Sequence, residues 1–192
     1  MSNEGFRFKI TGTSGHDAEM AIIGRLLAGY GELEYALGLL LAAVLNDIPT
    51  MIRVLFRVRG EEARIQIADA LMRHQFESTE LKHLYNETIS DMQYCKSIRN
   101  QFAHCMFDGF SKPGELCFVD LEKTAKEPAK SAVRPVSIQL SLLKKHEEYF
   151  GYVQWRLFYL AGEYARLMKR TESNDLKLQE AVSRPPLNGD KK

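Results

Sequence analysis

Cysteine is scarce in this chain: Cys95, Cys105 and Cys117 are the only three among 192 residues. An odd number cannot close a disulfide framework, and none stands in a CxxC pair, so neither a disulfide-stapled scaffold nor a cysteine-based zinc site is expected. The five histidines, His16, His74, His83, His104 and His146, form no HExxH pattern and no Cys/His finger. No metal or other cofactor is therefore expected. Excess charge is missing too, with 26 basic against 25 acidic side chains and a formal net charge of +1. Such a chain has no field to hold a polyanion at long range, so a nucleic-acid site must come from a local cluster of Lys and Arg. Long apolar runs are also lacking. The most lipid-like stretch, Tyr35 to Asn46, is free of charge for only twelve residues, against roughly 20 needed to span a bilayer. Met1 to Lys9 lacks the apolar centre of a signal peptide. The expectation is a reduced, cytoplasmic protein with no membrane partner.

What is present is helical periodicity and enough apolar residues, 45%, for one core. A first helix is expected from about Asp17 to Asn46. Gly24, Gly31 and Gly38, with Ala21, Ala28 and Ala42, fall in one stripe on it, broken only by Tyr35. Each internal glycine costs about 1 kcal/mol relative to alanine. A thin face of this kind suits either internal packing against another helix or a dimer seam. Pro49 sits where a first helical turn tolerates it, ahead of a second segment from Thr50 to His74 with Gly60 as a weak point. Ser78 is a fair N-cap for a third, Thr79 to about Met106. Leu81, Tyr85, Thr88, Met92, Cys95, Phe102 and Met106 form its apolar side.

The pattern then changes period. Phe107 to Leu121 carries turn residues, Asp108-Gly109 and Lys112-Pro113-Gly114, beside the β-like run Leu116 to Val119, which reads as a short β-hairpin. Thr124 to Arg134 is a polar connection. A last long helix spans about Ile138 to Lys169, with Phe150, Val153, Leu157, Leu160, Ala161 and Tyr164 buried. These elements predict an all-α fold, an antiparallel helical bundle of four long helices with the β-hairpin inserted between helices three and four. Residues 1–16 are expected to be a flexible N-terminal segment, 17–170 the bundle, and 171–192 a disordered tail ending in Pro185-Pro186, Gly189 and Lys191-Lys192.

Catalytic signatures are few. No GxxxxGK(S/T) loop, GxGxxG turn or GxSxG elbow is present. The pairs Glu61-Glu62 and Glu147-Glu148 read as solvated helix faces. Arg53, Arg57 and Arg64 fall within about 40° of one another on a continuous helix. Three guanidiniums on one face would grip phosphate or RNA bidentately, or pair with acidic groups of neighbouring helices.

The most specific stretch is Ile98-Arg99-Asn100-Gln101-Phe102-Ala103-His104-Cys105-Met106-Phe107, at the end of the third helix. Arg-Asn, two residues, Ala-His, two residues and an aromatic, in that place, resembles the HEPN superfamily (higher eukaryotes and prokaryotes nucleotide-binding domains). Those helical bundles carry an Arg-x4–6-His motif, commonly with Asn after the Arg. Gly31-Glu32-Leu33-Glu34 on helix one adds to the resemblance. Two positions depart from the family pattern: Met106 stands where some HEPN toxins carry a tyrosine that a partner enzyme modifies, and Phe107 stands where tryptophan is frequent.

The resemblance implies a homodimer with RNA as substrate and an antitoxin protein as a further partner. Its activity would be a metal-independent endoribonuclease, in a toxin–antitoxin or phage-defence setting. Arg99, Asn100 and His104 would be catalytic and Glu34 supporting, paired with Arg99 or His104. In that scheme His104 would transfer the proton and Arg99 would stabilise phosphorane charge. Asn100 lies about 40° from His104 around the helix, whereas Arg99 lies about 140° away, so either the reach of the arginine or a second protomer must bring them together, which favours a dimer. The alternative is a catalytically silent HEPN-like dimer that binds a protein, RNA or nucleotide.

Overall fold

The computed structural model describes residues 13–107, 115–126 and 135–187. It is mostly helical. Six helices and one three-stranded sheet follow in the order α1 (Asp17–Leu45), α2 (Ile48–Leu55), α3 (Glu61–Glu77), α4 (Lys82–Ala103), β1 (Cys105–Phe107), β2 (Glu115–Asp120), α5 (Leu121–Lys126), β3 (Val136–Gln139) and α6 (Leu140–Leu167). The core lies mainly between α1 and α6. Ile22, Leu26, Leu33, Leu37 and Leu40 of α1 are buried with Leu143, Val153, Leu157 and Leu160 of α6. By length and composition α1 could cross a membrane, with a mean hydropathy of 1.3 in its most apolar window, but half of that window is buried inside the fold.

The expected second helix is two. Phe56 closes α2, and Gly60 stands at the N-cap of α3 with φ of +90°, a conformation that side chains with a Cβ rarely adopt. Asn46 ends α1 in the left-handed region. Asp47 then caps α2, accepting from the Thr50 amide at 3.0 Å and its hydroxyl at 2.6 Å. Pro49 lies in the first turn, where its missing N–H leaves nothing unpaired. Ser78 closes α3 rather than opening α4, which starts after Leu81. The expected α4 stripe is buried from Leu81 to Phe102, but Met106 has left the helix and faces solvent from β1.

The expected hairpin has gained a third strand. β1 pairs antiparallel with β2 (Cys105 opposite Asp120, Phe107 opposite Phe118), and β2 with β3 (Leu116 opposite Ile138). Ile138 and Gln139, placed at the start of the last helix by the sequence pattern, belong instead to β3 because Ile138 fills the sheet's inner face beside Leu116 and Phe118. So short an apolar stretch carries no decisive period. The turn at 108–114 and the connection 127–134 lie outside the described residues.

The small-residue stripe of α1 divides at Tyr35. Gly38 and Ala42 are buried under α2, and a Cβ on Gly38 would meet Met51 Sδ at 2.8 Å. Ala21, Gly24, Ala28 and Gly31 are exposed, and a Cβ on Gly24 or Gly31 would meet nothing within 4 Å. Gly38→Leu is therefore expected to lower stability by about 1–3 kcal/mol through overpacking. Gly31→Leu is expected to leave the melting temperature at or above that of wild type, because it relieves a helix glycine without a clash. Thermal melts check both, and a Gly31→Leu protein that unfolds would contradict the open face. Sedimentation of that variant also reads whether the face is a dimer seam.

Where they are described, both flanking segments make contacts with the helices. His16, assigned to a flexible segment, is buried at the head of α1, 3.8 Å from the Glu19 carboxylate; residues 1–12 lie outside the described part, as do 188–192. Residues 171–187 carry no helix or strand, yet they are held against the helices rather than free. Trp155 Nε1 donates to the Lys177 carbonyl at 2.8 Å and Asn174 donates to the Tyr159 carbonyl at 3.1 Å. Further on, Arg184 donates to Asp91, Tyr94 to the Pro185 carbonyl and His146 to the Pro186 carbonyl. Polar composition does not exclude order when the body offers donors for the backbone carbonyls.

His146 gives a pH prediction. Its Nε2 lies 3.0 Å from the Pro186 carbonyl, which can only accept, so the proton sits on Nε2; Nδ1 is buried without a partner among the described residues. Burial lowers the imidazole pKa below its ordinary value, opposed in part by that hydrogen bond. The folded state thus prefers the neutral ring. Its contribution is fully present above about pH 6.5 and is lost as the pH falls from there through the lowered folded value. Urea denaturation between pH 7.5 and 5.0 should show this loss, and His146→Gln should flatten it. A profile unchanged by the substitution would rule the histidine out as its source.

Candidate functional site

The Arg99–His104 stretch straddles the junction where α4 ends and β1 begins. His104 is the C-cap residue of α4, with its imidazole exposed. Its carbonyl accepts from the Leu121 amide at 3.1 Å, which ties the end of α4 to the start of α5. Lys126, through a hydrogen bond, holds the Glu122 carboxyl below the usual range, with smaller pulls from His104 and Lys96. His104 thus lies near α5, whose charged residues are Glu122, Lys123 and Lys126.

Arg99 points elsewhere. Its Nη2 lies 3.1 Å from Glu61 Oε1, its Nη1 donates to Asn100 Oδ1 at 3.1 Å, and its guanidinium sits 5.9 Å from the centre of the Tyr30 ring. The Tyr30 hydroxyl is buried with no partner among the described residues. Its pKa is raised, first by burial and then by Glu34 and Glu61. Tyr30 and Glu61 are the neighbours that sequence reasoning missed. Tyr30 is four residues before Glu34 and so shares its helix face, a spacing legible in advance. Glu61 belongs to a pair read as solvated, whereas Glu61 meets Arg99 and Glu62 meets Lys96.

Glu34 is buried, and its partner is Arg64 rather than Arg99 or His104. Arg64 Nη1 reaches both carboxylate oxygens, at 2.8 and 2.7 Å, while Nε donates to the Val58 carbonyl at 3.1 Å. The three-arginine face does not form. The break in the helix before Gly60 puts Arg53 on α2, Arg57 in the connection and Arg64 on α3, where its cation is occupied. Arg53 and Arg57 are exposed.

Asn100 links this cluster to an open groove of about 350 Å³ between the end of α4 and α5. Lys96, Lys123 and Lys126 supply cations there, Asp120 and Glu122 oppose them, and Leu187 closes one edge. Arg99 and Asn100 are thus brought together, while His104 stands apart at the helix end. Among the described residues the side chains of Arg99 and His104 share no hydrogen bond, as the angle between them on α4 requires.

Comparison of the chain with family models, curated proteins and solved structures gives no match. The functional reading therefore comes from the site itself. Among the described residues no three His, Cys, Asp or Glu side chains gather as a metal cluster. Cys105 is half-buried, and burial pushes its thiol up to about 11, so it is a poor nucleophile near neutrality.

Proposed function

We propose that the chain is a HEPN-type helical bundle acting as a metal-independent endoribonuclease, built on a homodimer, in a toxin–antitoxin or phage-defence setting. The observation that carries the reading is the placing of the Arg99-Asn100-x3-His104 motif at the end of α4. There an exposed imidazole stands at the helix terminus and a positioned guanidinium lies one and a half turns back. His104 takes the proton from a ribose 2′-hydroxyl as its oxygen attacks the adjacent phosphorus. The P–O5′ bond breaks, the leaving oxygen is protonated, and a 2′,3′-cyclic phosphate remains. Arg99 stabilises the charge on the non-bridging oxygens, and Asn100 positions it. Because Arg99 and His104 of one chain face different ways, pairing two copies brings one protomer's imidazole to its partner's guanidinium. The exposed Ala21, Gly24, Ala28 and Gly31 face offers a thin surface for that pairing.

Incubation of the full-length chain with mixed RNA in EDTA should give fragments ending in 2′,3′-cyclic phosphate. A dimer in sedimentation without any cleavage would sink the nuclease. One observation favours the second reading, a catalytically silent HEPN-like dimer that binds a protein, RNA or nucleotide: Arg99 is already paired with Glu61 in the single chain. Under it, RNA or nucleotide is bound and stays intact.

A further inference from the structure

The last described residues are gripped in the way a bound peptide is gripped. Residues 171–187 form no helix or strand. What holds their end is a groove built by α4 and α6. Asp91 Oδ1 accepts from Arg184 Nε at 2.9 Å and Nη2 at 2.7 Å, and the Ser90 hydroxyl takes a further bond from Nη2 at 2.7 Å. The Arg184 guanidinium lies 5.3 Å from the centre of the Tyr94 ring. Pro185 is buried, with its carbonyl taken by the Tyr94 hydroxyl, and the Pro186 carbonyl is taken by His146 Nε2 at 3.0 Å.

This is the chemistry that reads proline-rich segments. Two prolines in succession fix φ near −65° and offer no N–H, so an extended Pro-Pro unit is recognised through its carbonyls and ring faces. Aromatic walls and hydroxyl or imidazole donors supply that, and a carboxylate reads a flanking arginine. Here Tyr94 and Tyr149, 5.9 Å apart edge to face, make the aromatic wall, and Asp91 is the carboxylate. Part of the groove is held without the segment. Asp91 is also held by the Tyr149 hydroxyl at 2.7 Å and by Arg156 at 2.9 Å, both from α6. The Arg184 side chain is a little under half exposed, at 44%.

We infer that the α4–α6 groove is a receptor for an extended Arg-Pro-Pro-apolar segment of a partner protein, occupied in this chain by its own Arg184-Pro185-Pro186-Leu187. The inference is independent of the nuclease reading. The tethered segment competes at a high effective concentration, on the order of millimolar for a short linker, so a partner gains access when the tether lets go. Leu187 also closes an edge of the groove that Asn100 lines, so the exchange would open that groove.

The test uses the full-length chain and a fluorescent peptide with the sequence of residues 181–187, Ala-Val-Ser-Arg-Pro-Pro-Leu. Peptide affinity is read by anisotropy for wild type and for a full-length Arg184→Glu/Pro185→Gly variant that weakens the tethered copy. The variant should bind at least tenfold more tightly than wild type, and a peptide with Glu in place of its Arg should bind neither. Equal affinity for the two chains, equal binding of the charge-reversed peptide, or no saturable binding to the variant overturns the inference. So does a variant that loses its helical circular dichroism, since the segment would then belong to the folding core. Hydrogen exchange on wild type gives a second reading. The amides of 178–184 and Leu187 should exchange well before the α4 and α6 interiors, and exchange only with global unfolding overturns the inference. Concentration-dependent swapping of the segment between wild-type copies, read by sedimentation, would assign the groove to a second copy instead.

Discussion

Replacing His104 with alanine is expected to lower RNA cleavage by about 10²–10⁴-fold, the usual contribution of a positioned general acid or base. The same substitution should leave stability nearly untouched. His104 is exposed, stands at a helix end, and its side chain has no hydrogen bond among the described residues. Surface changes away from special features stay within roughly 0.5 kcal/mol. The pairing of a large kinetic effect with a negligible thermal one is what distinguishes chemistry from folding. Arg99→Lys adds a graded test. It keeps the cation but loses the fork that now reaches both Glu61 and Asn100, so activity should fall while the dimer persists. Cleavage at the wild-type rate by the His104→Ala chain would end the proposed role of the imidazole.

Asp91→Ala should be the most destabilising single change at a polar residue, by about 3–5 kcal/mol. Asp91 is buried and accepts from Arg156, Tyr149 and Arg184 together. Arg156 is buried as well, and its Nε has no partner among the described residues. Removing the carboxylate would leave a guanidinium in the core with only the half-exposed Glu87, the Tyr152 hydroxyl and the Leu84 carbonyl. For a chain of this size each kcal/mol shifts the melting temperature by roughly 2–4 °C, so a drop of about 6–20 °C is expected. Asp91→Asn keeps an acceptor for Tyr149 and should cost less. Asp69→Ala breaks a more exposed contact with Arg73 but also strands the buried Tyr85 hydroxyl bonded to it at 2.7 Å, and should cost about 1–3 kcal/mol. A fall below 1 kcal/mol for Asp91→Ala would show that the cluster is solvated in solution.

The long helices are legible because their apolar spacing is long enough to carry a period. Leu81 to Phe102, and Phe150 to Tyr164, place their faces without help from context. Breaks and short elements are harder. Gly60 marks a weak point, but only a left-handed backbone there turns one helix into two and separates Arg53 from Arg64. Val136 to Gln139 is too short to declare its period and takes strand form because β2 offers an unpaired edge. At the site, Arg99 pairs with Glu61 and Asn100, while His104 stands at the C-cap of α4. Which carboxylate meets which arginine is set by tertiary packing, so Glu34 going to Arg64 and Glu61 to Arg99 is invisible in one dimension. Residues 171–187 mislead for a different reason: their order depends on hydrogen bonds donated by Trp155, Tyr94 and His146 of other elements.

The pairing of the first helix with the last has a consequence for synthesis. Arg25 and its partner Glu147 are 122 positions apart, and the apolar faces around them bury one another. At roughly 5–20 residues per second, a ribosome needs on the order of 6–25 s to make the stretch between them. Throughout that interval Leu26, Leu33 and Leu37 have no α6 to cover them. Closing so long a loop is also entropically slow. The nascent chain therefore carries its most adhesive surface early and quenches it late.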